Sequence, residues 1–438
     1  MIGSEGHCDN LNIQMLIRYS AENYRSLKDC QELSFVAGAY KDHPEFQTRV
    51  PSADLDLLRV AVIYGPNASG KSNVLASLRF IANAVKRSFK DWDPAEEIPL
   101  RRFKFGDADE RPSSFTIDFL LDGVRHEYGF TAEKREFSEE WLYAYPNRTK
   151  NLWFSRRRGE YRFGKALTGT KNRIRSVTRS NSLFLSAAAQ NNHSQLLPVY
   201  RWFTDRLIFE FGDHSNAPTS KTAKMCSDDS IRARVLKHMR AADLGIVDIS
   251  VAKEDTRPEV GEFVSAIEKF VGRPIPTPEL HKIRLVHSGS EAETGVEFSV
   301  NEESRGTQKY FVLIGQVINA LQSGAILVID ELDSSLHPLL ALELVALFNN
   351  PSTNPKSAQL LFNTHDTNLL NSKYLRRDQI WFAEKDSGGG THVYPLSDFK
   401  ARNDENLEKG YLQGRYGAVP FITNSALILL NKDGQETS

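Results

Sequence analysis

Eight consecutive residues, Gly65-Pro66-Asn67-Ala68-Ser69-Gly70-Lys71-Ser72, constrain this chain more than any other stretch. An apolar run at 57–64 precedes them, and a helical pattern begins at Asn73. The two glycines let the backbone wrap an anion with its N–H groups facing inward, and a helix starting there adds the positive end of its dipole. This is the pattern of a phosphate-binding loop. Gly65, Pro66, Asn67, Ala68, Ser69, Gly70 and Asn73 then line a nucleotide, Lys71 holds its β- and γ-phosphates, and Ser72 binds Mg²⁺.

A second cluster lies more than two hundred residues further on. The apolar run 325–329 ends in Asp330-Glu331. Such a run reads as a parallel strand whose carboxyl end lies beside the phosphate loop, at the edge where open α/β sheets bind ligands. Asp330 can hold Mg²⁺ through water, and Glu331 suits a general base, because hydrolysis needs a carboxylate aligned with a water opposite the β–γ bridge. Before this pair stands Ser304-Arg305-Gly306-Thr307-Gln308, running straight into a helical pattern at 309–321; after it come a helix at 338–348 and a strand at 359–362, then Asn363-Thr364-His365-Asp366.

The pattern divides the 438 residues into an α/β head built from both chain ends and material inserted between them. Residues 1–14 read as an extension, with Met15 as an alternative start. Residues 15–90 carry short strands at 16–19 and 31–36, the loop and one amphipathic helix. Residues 91–165 read as an antiparallel β-meander: 114–119 alternates, Asp122-Gly123 marks a hairpin, and short strands follow at 141–145, 152–155 and 161–163. Residues 166–280 read as mostly helical, around 194–207, 230–242 and 259–271, with no heptads long enough for a coiled-coil arm. Residues 281–438 complete the head, ending in a Gly-rich turn at 388–390 and a strand at 392–396.

Composition narrows the setting. Lys plus Arg (55) nearly balance Asp plus Glu (56), so only local patches can argue for nucleic acid. Cys8, Cys30 and Cys226 form no Cys-x-x-Cys pair, as expected of a reduced cytoplasmic protein without structural zinc. The longest apolar runs are too short to span a bilayer, and Met1 to Asn10 lacks the regions of a signal peptide. One patch stands out. Between Arg148 and Arg179 there are eleven basic residues and one acid, Glu160, with Trp153, Phe154, Tyr161 and Phe163 interleaved. That segment suits DNA phosphates with bases stacked on the rings; a solvated strand face or a surface for an acidic partner suits it equally.

The order of these motifs resembles that of ATP-binding cassette ATPases, in the branch holding the SMC and DNA-repair ATPases and the overcoming-lysogenisation-defect (OLD) proteins. The resemblance implies that Ser304 to Gln308 is a degenerate signature motif, whose Ser304 and Gly306 contact nucleotide bound by the opposite subunit. Leu332-Asp333-Ser334 matches the D-loop, with Asp333 near the nucleotide. His365 matches the switch histidine, and Arg25 an N-terminal arginine beside the nucleotide. The signature lacks its usual Leu-Ser-Gly-Gly start, and neither Gln190 nor Gln195 convincingly supplies the Mg²⁺-binding glutamine of a mid-chain loop.

From Met15 to about residue 422 the chain is most similar to stand-alone bacterial ATPases of the RloA and AbiL type, found in anti-phage systems, and it includes Tyr411-Leu412-Gln413-Gly414-Arg415-Tyr416-Gly417-Ala418-Val419-Pro420. Those proteins resemble OLD proteins without the Toprim nuclease. About seventy residues follow His365, and no Asp-x-Asp there offers a nuclease metal site. The resemblance therefore implies ATP and Mg²⁺ as ligands, a homodimer or higher oligomer closed over ATP, and a separate effector such as a nuclease. The expected role is that of a sensor ATPase in defence, with a DNA-repair or chromosome-maintenance ATPase as the alternative.

Overall fold

The computed structural model describes residues 13–211, 219–254, 280–288, 295–370, 373–399 and 405–420. Alternating apolar positions in the N-terminal third produce an antiparallel sheet. It contains β1 (Leu16–Glu22) and β2 (Gln31–Ser34), and, beyond a small ribbon of β3 (Gln47–Val50) and β4 (Leu55–Leu58), the buried strand β5 (Val60–Tyr64) leaves it for a second sheet. The meander follows as β6 (Ser113–Leu121), β7 (Val124–Ala132), β8 (Phe137–Tyr145), β9 (Asn151–Arg157) and β10 (Glu160–Phe163). The strand order is β10-β9-β8-β7-β6-β1-β2, so the meander continues directly into the N-terminal strands, with Tyr19 opposite Ile117. Its inner face, including Ile117, Phe119, Tyr128, Phe130 and Phe154, packs with the helices Lys71–Arg87, Phe184–Gln190 and Leu196–Asp205 in one core.

The second sheet carries the site. After β11 (Leu207–Glu210), the strands β12 (Ile246–Glu254), β13 (Leu280–His287) and β14 (Val296–Ser299) form a small separate sheet, and the chain returns through β15 (Ile326–Ile329), β16 (Gln359–Asn363), β17 (Ile380–Lys385) and β18 (Thr391–Pro395). The order is β11-β15-β16-β5-β17-β18, parallel except for the β17–β18 hairpin. Strands covered on both faces need apolar residues throughout, and β5 is Val-Ala-Val-Ile-Tyr with every residue buried. Ala61 and Ile63 join the first core; Val60, Val62 and Tyr64 join a second, with the helices Arg305–Ser323 and Pro338–Asn349.

Two strands fall within 166–280, the segment expected to be mostly helical. Residues 207–210 form β11 rather than the end of a helix, because the helix stops at Asp205 and Leu-Ile-Phe-Glu pairs in parallel with β15. Residues 246–254 form β12, held by β13. The helices Leu196–Asp205 and Asp229–Ala241 form as expected, whereas the helix expected at 259–271 lies outside the described residues, as do residues 1–12. Among the described residues no helix is long and apolar enough to cross a membrane.

A candidate nucleotide site at the strand ends

The loop leaves the end of β5 and is held by close contacts that only glycine permits. A Cβ on Gly65 would stand 2.2 Å from the Ala383 carbonyl oxygen on β17, and one on Gly70, whose φ is +103°, would stand 2.1 Å from Thr391 Oγ1. Thr391 closes the clamp: its hydroxyl donates to the Ser69 carbonyl at 2.8 Å and its N–H to the Ser26 carbonyl at 2.7 Å. Ala68 also adopts a left-handed conformation (φ +63°), while Pro66 and Asn67 lie at the rim. The Ser69 hydroxyl is buried with no protein partner. A buried, unpaired hydroxyl in an anion-shaped loop fits a phosphate oxygen as its acceptor.

Lys71, 5% exposed, donates from Nζ to the carbonyls of Gly65 (2.8 Å) and Pro66 (3.0 Å). Burial lowers its pKa to about 8, against the opposing pull of Asp333, Glu331 and Asp330. Those carboxylates gather because β15 ends beside the loop region, although not next to β5: β16 lies between them. One strand thus separates them, and Asn363, at the end of β16 and fully buried, spans the gap. Its amide Nδ2 donates to Asp330 Oδ1 at 2.6 Å and to Ser72 Oγ at 3.4 Å, and its Oδ1 accepts the Glu331 N–H.

This donor set fits Mg²⁺. The ion takes hard oxygen ligands, usually one or two from protein with the rest from phosphate and water. Asp330 and Ser72 offer a carboxylate and a hydroxyl joined by one amide, and among the described residues no group of three His, Cys, Asp or Glu forms a fuller cage.

Around this centre stand the other expected residues. Glu331 is exposed and left-handed (φ +56°), and its carbonyl accepts from Lys309 Nζ at 2.7 Å. Asp333 Oδ2 accepts the His365 N–H at 3.2 Å. Desolvation, and then the Lys71 charge, lower the His365 pKa, so the ring is neutral near pH 7. Arg25 donates to Asn73 Oδ1 at 3.2 Å, placing its guanidinium on the first turn of the helix Lys71–Arg87. Ser304 caps the helix Arg305–Ser323, accepting the Thr307 N–H, and Gly306 packs on the Ser335 carbonyl. Neither makes a hydrogen bond to the loop among the described residues.

Gln195 is engaged by Thr168 and Ala166, and Gln190 by Tyr200, so neither belongs to this centre. Asn363, Lys309 and Thr391 were not singled out from the sequence; Asn363 stood next to Thr364-His365, but an amide at a strand end carries no distinctive pattern. The stretch 411–420 docks beside the loop: Tyr411 packs on Tyr64 at 5.7 Å, and the Ala418 N–H donates to Glu384 at 3.2 Å.

Two arginines of the basic segment are bonded inside the fold, and most of its other basic residues are exposed. Arg156, 4% exposed, donates to the Ser182 and Ser180 carbonyls, and Arg179 to those of Ser88 and Phe89. Arg148, Lys150 and Arg157 pair with Asp54, Glu127 and Glu139. Phe154, Tyr161 and Phe163 pack around Phe184, with Phe154 buried in the core and Tyr161 and Phe163 half-buried at its edge. Arg158, Arg162, Lys165, Arg173 and Arg175 remain exposed.

Solved structures that resemble the chain loosely include three SMC heads. The SMC head domain from Thermotoga maritima is 13% identical, with 87% of this chain and 98% of that chain covered, at a TM-score of 0.38. An SMC head bound to the C-winged helix domain of ScpA is 13% identical, with 88% and 99% covered, at 0.42. A head with an extended coiled coil bound to the C-terminal domain of ScpA derived from Pyrococcus furiosus is 12% identical, with 88% and 98% covered, at 0.38. No curated protein matches the sequence. A family does: "AAA domain, putative AbiEii toxin, Type IV TA system" matches residues 60–371, from the first residue of β5 past the His365 turn. With well over half of its length inside that match and a phosphate loop facing Asp330 across Asn363, the chain belongs to this AAA-domain ATPase family.

Proposed function

We propose that the protein binds ATP in the 65–72 loop, hydrolyses it with Glu331 as the general base, and works as a cytoplasmic homodimer or higher oligomer closed over ATP. The observation that carries this reading is the bridge from Ser72 through Asn363 to Asp330 and the Glu331 N–H. On ATP binding, Lys71 exchanges its two carbonyl acceptors for β- and γ-phosphate oxygens, and the Ser69 hydroxyl and loop N–H groups donate to the phosphates. Ser72 and, through water, Asp330 would hold Mg²⁺, which would neutralise phosphate charge. Glu331 accepts the proton of the attacking water, and neutral His365 donates a hydrogen bond to the γ-phosphate. Arg25 and Asn73 lie where the rest of the nucleotide leaves the helix start. Across the dimer, Ser304, Gly306 and Asp333 would complete the partner's site.

The role we propose is that of a regulatory ATPase in a bacterial anti-phage system of the RloA and AbiL type, controlling a separate effector such as a nuclease. The family description's words "Type IV TA system" agree with a chain that acts as one part of a larger system. A second reading, a DNA-repair or chromosome-maintenance ATPase, is favoured by exposed Arg158 and Arg175, which line one 430 Å³ concavity with Tyr161.

Hydrolysis by wild type and Glu331→Gln, each with and without duplex DNA at two salt concentrations, tests both. The expected result is retained ATP affinity with turnover lowered about a hundredfold or more in Glu331→Gln. Normal turnover by that variant overturns the base assignment. Stimulation by DNA that fades with salt and disappears in Arg158→Glu/Arg175→Glu would favour the second reading; indifference to DNA favours a protein effector.

A further inference from the structure

Lys309 has no role in the mechanism above, yet it is among the most enclosed charges in the molecule. It lies one turn into the helix Arg305–Ser323 and is 5% exposed. Its ammonium donates to the Glu331 carbonyl at 2.7 Å, an oxygen that also accepts the Ser334 N–H at 3.1 Å. Burial lowers its pKa, and Asp333, Glu331 and Asp330 oppose that, so the amine stands amid the acids of the site. The same helix makes a second contact with this turn: a Cβ on Gly306 would stand 2.9 Å from the Ser335 carbonyl oxygen, and Ser335 is itself left-handed (φ +61°).

Residues 330–335 are therefore held from two sides. Asn363 grips Asp330 and the Glu331 N–H from the sheet, and Lys309 and Gly306 grip the Glu331 carbonyl and Ser335 from the helix. A left-handed glutamate depends on its surroundings to keep that backbone conformation. A helix moves largely as one body, so a pull on its first turn is felt at Lys309.

We infer that Lys309 is a positioning residue that ties the 304–306 turn to Glu331 of the same subunit, so that nucleotide gripped by that turn in the partner's site sets hydrolysis in its own. The inference rests on the proposed two-headed ATPase. Ser304 and Gly306 act across the dimer, Lys309 acts within the subunit, and together they make each site report on the other.

The test compares wild type, Lys309→Met and Lys309→Arg for ATP binding, ATP-dependent dimerisation and steady-state kinetics. Lys309→Met should bind ATP within about threefold of wild type and still dimerise, while kcat falls about tenfold or more at nearly unchanged KM; Lys309→Arg should recover part of the loss. Mixed dimers then assign the direction. With Lys309→Met and Glu331→Gln in the same protomer, about half of the wild-type turnover should survive, because the other site is intact; on opposite protomers, both sites fail. Wild-type kcat in Lys309→Met, loss of ATP binding in it, or equal turnover in the two mixed dimers would each overturn the inference. Failure of the underlying reading shows elsewhere, as normal turnover by Glu331→Gln or no ATP-dependent dimer in wild type.

Discussion

Asn363 concentrates more of the site's geometry in one side chain than any motif residue. Replacing it with Ala leaves the Glu331 N–H and Asp330 Oδ1 without their amide partner in a half-buried place. A half-buried group left unpaired costs at most about 1 kcal/mol, and loss of such a supporting partner lowers metal affinity or activity about 10–100-fold. Asn363→Ala should therefore show both a lower urea midpoint and a weaker Mg²⁺ dependence of turnover, read by titrating Mg²⁺ at saturating ATP; an unchanged Mg²⁺ midpoint would remove Asn363 from the metal's support. At this scale the sequence was legible where chemistry demands a rare pattern. Gly65 to Ser72 and Asp330-Glu331 announce themselves, whereas Asn363 and Lys309 acquire meaning only when strand order and helix placement bring them to the Glu331 turn.

The elements explain why the loop has its shape. Gly70 must pass Thr391 with φ +103°, a conformation that L side chains rarely adopt. Gly70→Ala should abolish measurable nucleotide binding by pushing Thr391 off the loop, at a stability cost of about 1–3 kcal/mol; ATP titration and thermal unfolding check the two parts separately. In the antiparallel sheet, buried His126 stacks against Phe119 and meets Trp153 edge-on, and burial pulls its pKa to about 4. The unfolded chain titrates near 6.5, so this contribution is complete above that value and is lost as pH falls towards 4. The loss should reach about 2 kcal/mol by pH 5. His126→Phe keeps a ring in place and should lose less stability between pH 7 and pH 5 than wild type does, measured by urea unfolding. Strand β11 shows where element reading fails: four residues, Leu-Ile-Phe-Glu, carry too little periodicity to separate a buried strand from a helix end, and only β15 beside them decides it.

Both ends of the chain build the second sheet's surroundings, and one side chain makes the link plain: the Gln359 amide at the start of β16 accepts the Leu16 N–H and donates to the Leu16 and Leu58 carbonyls. The head was legible because its motifs are spaced along the sequence in the order that the sheet requires. The fate of the basic segment was not, since charge counts cannot tell Arg156, bonded to carbonyls inside, from Arg158 on the surface. The whole-molecule claim is that Glu331 fires only in a site completed by a second copy. It is tested most directly by the mass in solution of Glu331→Gln, measured by light scattering in Mg²⁺ with ATP, with ADP and with neither. Because that variant should bind ATP and not consume it, the expected result is a stable dimer in ATP and a lower mass in ADP. An ATP-independent mass, together with wild-type turnover by the variant, would contradict both the sandwich and the base.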